Sequence, residues 1–179
     1  MTPPIETERL LLRRYHAADV LEFIEFLSHP SVARIVVGVE ATEAGVTEYI
    51  NSQNALQPFE QDKCFDLVVE RRRDGRLLGI VSMVAKAHKH GQIGWALGVA
   101  FRGQGYATEA ARALMAYGFT TLGLHRISAD TTSPNVASWR LMERLGMRRE
   151  AHLREAEFRD GEWIDYFIYA ILVHEWMAH

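Results

Sequence analysis

The residues best suited to chemistry are Arg102-Gly103-Gln104-Gly105-Tyr106-Ala107. They lie between an apolar run, Gly94-Trp95-Ala96-Leu97-Gly98-Val99, and an amphipathic one beginning Thr108-Glu109-Ala110-Ala111-Arg112. A two-glycine turn that opens a helix points several backbone N–H groups outward at the positive end of the helix dipole, which is a site for phosphate. The glycines let a ligand approach bare backbone. The spacing excludes two common nucleotide loops. No Gly-Lys-Ser/Thr ends the turn, and the third glycine of a dinucleotide fingerprint is replaced by Thr108. A pyrophosphate-bearing cofactor fits the order strand, glycine turn, helix. An ordinary tight turn has the same order, so the hexapeptide alone leaves both readings open.

Other reactive side chains fall into weaker patterns. Cys64 is the single cysteine and has no activating neighbour in sequence, so neither an intrachain disulfide nor an acyl-enzyme is expected. Ser82 lacks the setting of a nucleophile elbow. His88 and His90, with Lys86 and Lys89, read as a solvent-facing loop, Arg71-Arg72-Arg73 reads as a solvated turn, and no His/Cys cluster has zinc spacing, so no metal is expected. A net charge of −3 gives no basic field for nucleic acid. Pro3 and Pro4 followed by Glu6 and Glu8 do not read as a secretory leader, and no apolar run approaches the ~20 residues of a membrane span. A cytoplasmic setting follows as an expectation.

The chain has 179 residues, 48% hydrophobic and 24% charged, which suits one domain over 1–179. Strands are expected at Arg9–Tyr15, Cys64–Glu70, Leu77–Val84, Gln92–Val99, His125–Thr131, Met147–Phe158 and Trp163–Leu172. Helices are expected at Ala17–Leu27, Thr42–Leu56 and Gly105–Thr121, with a fourth from Ser133-Pro134-Asn135 to the stop at Leu145-Gly146. Asp74-Gly75 and Asp160-Gly161 are two-residue hairpin signals. The sum is an α/β layer structure: a mixed, mostly antiparallel seven-stranded sheet flanked by about four helices.

Arg102, Gly105 and Ala107 resemble the Arg/Gln-x-x-Gly-x-Gly/Ala signature of the GNAT superfamily of N-acetyltransferases, and the element order resembles its fold along almost the whole chain. Three further segments resemble the RimJ/RimL-type branch: Thr7-Glu8-Arg9-Leu10-Leu11-Leu12-Arg13, then Asn135-Val136-Ala137-Ser138 with Glu143-Arg144-Leu145-Gly146-Met147, then Glu155-Ala156-Glu157-Phe158 before the last turn. One position departs. Many members carry an acidic residue before Ile-Gly-Tyr/Trp, and here Gln92 stands there, so no role of that acid carries over.

The resemblance implies acetyl transfer from acetyl-CoA directly to an amine. It implies that Gly103, Gln104, Gly105, Tyr106, Ala107 and Thr108 hold the pyrophosphate, with Arg102 either reaching a phosphate or capping the turn. Leu97 to Val99 would pair with the pantetheine arm, the amide of Val99 would face the thioester carbonyl, and Asn135 would contact the pantetheine amides. A helix N-cap is the alternative reason for Asn135. Ser138 is the implied donor to the sulfur, with Tyr106 and Tyr166 as other phenols. Glu157 is the implied base, acting through water, with Glu155 two residues away and so on the same strand face. A surface carboxylate would look the same in sequence.

The acceptor is expected to be a protein N-terminal α-amine, or else a small amine such as an amino acid, polyamine, aminoglycoside or toxin. A non-catalytic acyl-CoA sensor is the third reading. Trp163, Trp176 and Phe167 are expected in the core, near a surface through which members of the family often form homodimers.

Overall fold

The computed structural model describes residues 4–36 and 38–178. Pro3, part of the leader argument, and the chain ends of the expected domain lie outside the described residues. The elements run β1 Ile5–Glu6, β2 Leu10–Arg13, α1 Val20–Leu27, α2 Pro30–Ala33, α3 Glu43–Ala55, β3 Cys64–Arg71, β4 Arg76–Lys86 and β5 His90–Leu97. They continue with α4 Tyr106–Thr120, β6 Arg126–Thr132, α5 Val136–Arg144, β7 Arg148–Arg159, β8 Glu162–Leu172 and α6 Val173–Met177. One sheet of eight strands has the order β1-β2-β3-β4-β5-β6-β8-β7. The strand beyond the expected seven is the two-residue β1, too short to show a period. The short α2 and α6 escaped for the same reason.

The sheet carries a helical layer on each face. α4 buries Ala110, Ala111, Leu114, Met115 and Phe119 against Phe65, Leu67, Met83, Ile93 and Ile127, and α5 adds Leu141 and Met142. On the opposite face α1 and α3 bury Phe23, Phe26, Val46 and Ile50 against Val68, Ile80 and Ala96. The alternation along each strand sorts the two sets: Val68 points one way, Leu67 and Val69 the other. Beneath α1, Arg13 donates to both carboxylate oxygens of buried Asp19 (2.7 and 2.8 Å) and to Glu70 (2.5 Å), locking β2 to α1 and β3.

Six of the seven junctions between neighbouring strands are antiparallel, and β5–β6 is the parallel one. That junction is short. His90 pairs with Arg126, Gly91 with Ile127 and Gln92 with Ser128, after which the strands part. The gap between Ile93–Leu97 and Ala129–Thr132 is a wedge with its vertex at Gln92. Both chain segments that follow these strands, the glycine turn and the start of α5, sit at its open end.

Two turns differ in detail. Asp160-Gly161 is a two-residue hairpin with φ of 52° and 89°, the geometry of a primed turn. Asp74-Gly75 instead belongs to a four-residue loop, since Arg71 pairs with Arg76. The Arg71 side chain clamps Asp74 (2.7 and 2.9 Å), and this holds the longer loop.

Candidate active site

The glycine turn is built as its sequence demands. Gly103 and Gly105 take φ of 74° and 82°, where a side chain is strained, and Gly105 is the cap of α4. The amides of residues 103–108 donate to no other described residue; the first helical bond runs from Glu109 to the Gly105 carbonyl. Six free N–H groups at a helix start are a cradle for phosphate. The Tyr106 side chain does not line it. It is buried in the core beneath the Arg9 guanidinium (4.5 Å to the ring), which removes Tyr106 as a donor to sulfur. Arg102 takes the capping role: Nε donates to the Leu97 carbonyl (3.0 Å) and a terminal nitrogen to Ser31 Oγ (2.9 Å).

The Thr7-Glu8-Arg9 segment has a mechanical role that sequence reading missed. Thr7 Oγ1 (2.6 Å), the Arg9 amide (3.0 Å) and Arg9 Nε (2.6 Å) all donate to Glu109 in the first turn of α4. Another Arg9 nitrogen donates to the Gln104 carbonyl (3.1 Å). One arginine therefore ties the middle of the cradle to the helix that follows it. Burial pushes the Glu109 carboxyl up, but Thr7, the Arg9 amide and the Arg9 guanidinium outweigh it and hold it below the usual range. Beside this clasp a groove of about 680 Å³ runs past Thr108, Arg112 and Arg144, whose cations could meet further phosphate. A hollow of about 800 Å³ between Glu43 and Ser52 lies on the solvent face of α3.

From the cradle the wedge leads inward. Lys89 offers its carbonyl toward β6 and Gly98 its amide toward β4, so strand alternation turns the backbone of Ile93, Trp95 and Leu97 into the gap. Leu97 keeps only its amide free there, its carbonyl being held by Arg102. Val99 lies in the turn after β5, beside the cradle. The five steps from Gln92 to Leu97 span ~17 Å, so Val99 addresses the cradle end of an extended arm. The amides of Ile93 and Trp95 lie nearer the vertex than that of Val99.

Across the gap, Asn135 caps α5: its Oδ1 accepts from the Ser138 amide (3.3 Å). Its side-chain NH2 makes no bond to another described residue, so the cap leaves a donor for a ligand amide. The half-buried Ser138 hydroxyl likewise has no partner among the described residues.

The carboxylates are arranged differently from the expectation. Leu153 pairs with Tyr166 and Glu157 with Ile164, so β7 carries two extra residues in between, and Glu155 sits in that bulge with φ 51°. Strict alternation fails there, and Glu155 and Glu157 are not a same-face pair. Glu155 instead gives its amide to Asp165 (2.9 Å), which also holds His152 (2.6 Å). Glu157 shares the face of Ile164 and Tyr166, and its carboxylate is bound by the Arg159 guanidinium (Nε 2.8 Å).

At the vertex stands a carboxylate that was not singled out. Asp130, half-buried on β6, accepts from Gln92 Nε2 and from the Tyr166 hydroxyl. Burial first, then Asp130, raises the Tyr166 phenol far above its ordinary value, so Tyr166 is a fixed donor to Asp130 rather than an acid for a leaving thiolate. Partial desolvation and the neighbouring Asp66 push the Cys64 thiol up to about 11, which leaves it a poor nucleophile at neutral pH. Phe167 and partly buried Trp176 pack in the core as expected, whereas Trp163 is 63% exposed and packs at a tilt against Phe158 at the hairpin tip (5.1 Å between ring centres).

A phosphate cradle at the mouth of a splayed parallel strand pair, with an extended backbone edge inside and a carboxylate at the vertex, defines an acyl-coenzyme A-dependent acyltransferase of α/β architecture. The sequence matches the acetyltransferase (GNAT) domain family over residues 9–148, and the chain belongs to that family. It is an acetyl-CoA-dependent N-acetyltransferase acting on an amine. It is 32% identical to the uncharacterized N-acetyltransferase YnaD of Bacillus subtilis over 173 residues, covering 96% of this chain and 98% of that protein. It is 31% identical over 84 residues to the ribosomal protein uS5 alanine N-acetyltransferase of Escherichia coli, 47% of this chain and 43% of that one. The crystal structure of a GNAT-family acetyltransferase from Bacillus anthracis superposes with a TM-score of 0.82 at 29% identity, over 96% of this chain and 99% of that one. No helix among the described residues is long and apolar enough to cross a membrane.

Proposed function

We propose that the protein acetylates an amine that is already largely neutral near pH 7, an N-terminal α-amine of a protein, in the manner of the RimJ/RimL-type branch. The amides of residues 103–108 hold the pyrophosphate, Asn135 and the β5 edge from Leu97 to Val99 hold the arm, and Ser138 donates to the sulfur. Arg102 and the Arg9 clasp keep the cradle in shape. Acetyl-CoA supplies the activated acyl group.

The observation that supports this acceptor is that each carboxylate on the cleft face already holds donors: Glu157 those of Arg159, Asp130 those of Gln92 and Tyr166. Both carboxylates are therefore held in place by these partners and are not free to close on a charged amine. A lysine-type amine is neutral about once in 2,500 at pH 7, a cost of roughly 4.6 kcal/mol, whereas an α-amine costs only about 1–1.4 kcal/mol. The site suits the second. The partial similarity to an enzyme named for the alanine of ribosomal protein uS5 points the same way.

The test is thiol release from acetyl-CoA with peptides of varied N-terminal residue, a blocked lysine peptide, polyamines, amino acids and an aminoglycoside. Turnover on the unblocked peptides alone is the expected result. Turnover confined to one small amine refutes the protein acceptor, and acetyl-CoA binding without turnover on any amine of the panel refutes it too, leaving an acceptor outside the panel or a sensor.

A further inference from the structure

We propose that Asp130 is the residue that receives the acceptor nitrogen and takes its proton, with Gln92 and Tyr166 as positioning residues that fix its carboxylate at the wedge vertex. The proposal rests on the amine-acetylation reading above.

Three observations carry it. The first is place. Gln92 is the last residue of β5 paired to β6, and Asp130 lies two residues beyond its partner Ser128, at the point where the strands part. An arm laid along β5 from the cradle ends there. The second is face. Gln92 and Ala96 lie on the same side of β5, and Ala96 packs with α1 and α3. Bonding to Gln92 and Tyr166 puts Asp130 on that side too, opposite α4 and α5. The nitrogen would thus approach from one face of the sheet while Ser138, on α5, serves the sulfur from the other. The third is capacity. A carboxylate has about four lone-pair positions, and two donors leave room for an N–H.

The groups facing Asp130 are Gln92 from β5, Tyr166 from β8 and, further along the hairpin, the Glu157–Arg159 pair of β7. The pair is internally neutralised, so Asp130 is the carboxylate whose charge is turned toward an incoming amine. An N–H of the neutral amine bonds to Asp130, which aims the nitrogen lone pair at the acetyl carbon. As the nitrogen–carbon bond forms and the carbon–sulfur bond breaks, the nitrogen becomes positive and Asp130 takes one of its protons. The thiolate leaves with the electron pair of the broken bond. Asp130 then passes its proton on, through water, so that the products are the amide and a thiol.

The experiment compares Asp130→Asn, Tyr166→Phe and Glu157→Gln with wild type. It reads acetyl-CoA Kd by calorimetry, thermal midpoint, and kcat and KM for the best amine of the panel from pH 6.5 to 9.5. Asp130→Asn should lower kcat/KM by ~10²–10⁴-fold at pH 7 through kcat, the usual range for a lost general base. Acetyl-CoA Kd should stay within threefold, and the deficit should shrink as pH rises and hydroxide takes over removal of the proton from the acylated nitrogen. Glu157→Gln should cost less than threefold. Tyr166→Phe should lower kcat several-fold while KM, acetyl-CoA Kd and the thermal midpoint hold, because one of the two donors that aim the Asp130 carboxylate is gone; a merely structural tyrosine would lower the thermal midpoint and leave kcat of the folded enzyme in place. That split decides the matter even if Asp130→Asn does not fold. Wild-type turnover with an unimpaired Asp130→Asn, or with the loss carried by Glu157→Gln, overturns the proposal alone. A wild type inactive on every amine overturns the parent reading and this one with it.

Discussion

Arg9 is the residue through which the sheet shapes the phosphate cradle, and its replacement separates shaping from charge. In Arg9→Met the Gln104 carbonyl loses its donor (3.1 Å), Glu109 loses its cation, and the ring of Tyr106 loses its cover. The bond to Gln104 is worth about 1 kcal/mol net. It is the part that holds the cradle, so its loss alone weakens acetyl-CoA by about fivefold. The bared Glu109 adds to this. It sits in the first turn of α4, and a phosphate on the turn amides would lie ~7 Å away; a unit pair there is worth ~2 kcal/mol at an effective dielectric of 20, and about 1 kcal/mol once screened. Together these raise the Kd by roughly 30-fold, 1.4 kcal/mol being one decade. The double variant Arg9→Met/Glu109→Gln removes the bared charge and should bind about fivefold tighter than the single one. Calorimetry with acetyl-CoA at low and at physiological salt reads both, and the gap between the two variants should narrow with salt. If Arg9→Met binds within twofold of wild type, or if the double variant binds more weakly than the single one, the clasp does not act as reasoned.

Two further outcomes follow from the same geometry. Gly105→Ala forces a side chain into φ 82° with its Cβ 3.3 Å from an Arg9 nitrogen, so the thermal midpoint should fall by the equivalent of about 1–2 kcal/mol and acetyl-CoA affinity should fall with it; an unchanged affinity would show that the cradle tolerates a changed start to α4. At Asp19, burial raises the carboxyl, but the Arg13 guanidinium and the His16 amide outweigh it and hold it below its ordinary value. Its contribution to stability is therefore full above the unfolded value of ~3.9 and is lost as pH falls through the lower folded value. Urea unfolding from pH 5 to pH 2 should show wild type losing stability toward Asp19→Asn, while at pH 7 the variant is less stable by ~2–4 kcal/mol because Arg13 keeps only Glu70.

What the sequence disclosed was local. The cradle, the Asn135 cap, the stop at Gly146 and the Asp160-Gly161 hairpin are each written in a few consecutive residues, and each stands where the reading placed it. What it concealed depends on pairing at a distance. The Thr7 and Arg9 partners of Glu109 lie 102 and 100 residues away, and nothing in either segment names the other. The bulge between Leu153 and Glu157 is invisible because period-two counting presumes a regular strand. Asp130 reads in sequence as the polar alternate of a half-solvated strand, Arg-Ile-Ser-Ala-Asp-Thr-Thr, and becomes a site residue only through the parallel register of β5 with β6. The signal that could have found it was the amide at position 92, which asks what Gln92 is bonded to.

On the role proposed for Asp130, its pairing with Gln92 moves a charge between strands without moving the chemistry. At the vertex of a splayed parallel pair the two strands are still adjacent, about 4.8 Å apart, and side chains from either lip on the same face reach one point. An acid on β5 with a polar partner on β6 and an amide on β5 with an acid on β6 place the same single charge at that point. The second arrangement uses the amide as a donor and a tyrosine from β8 as another, so the shorter aspartate is held from two sides. Two acids facing one another across the vertex would repel, and one would hold a proton; two amides would leave nothing to accept one. The geometry therefore permits the exchange in either direction but only as an exchange, which is why the departure at position 92 points to its neighbour strand rather than to a lost activity.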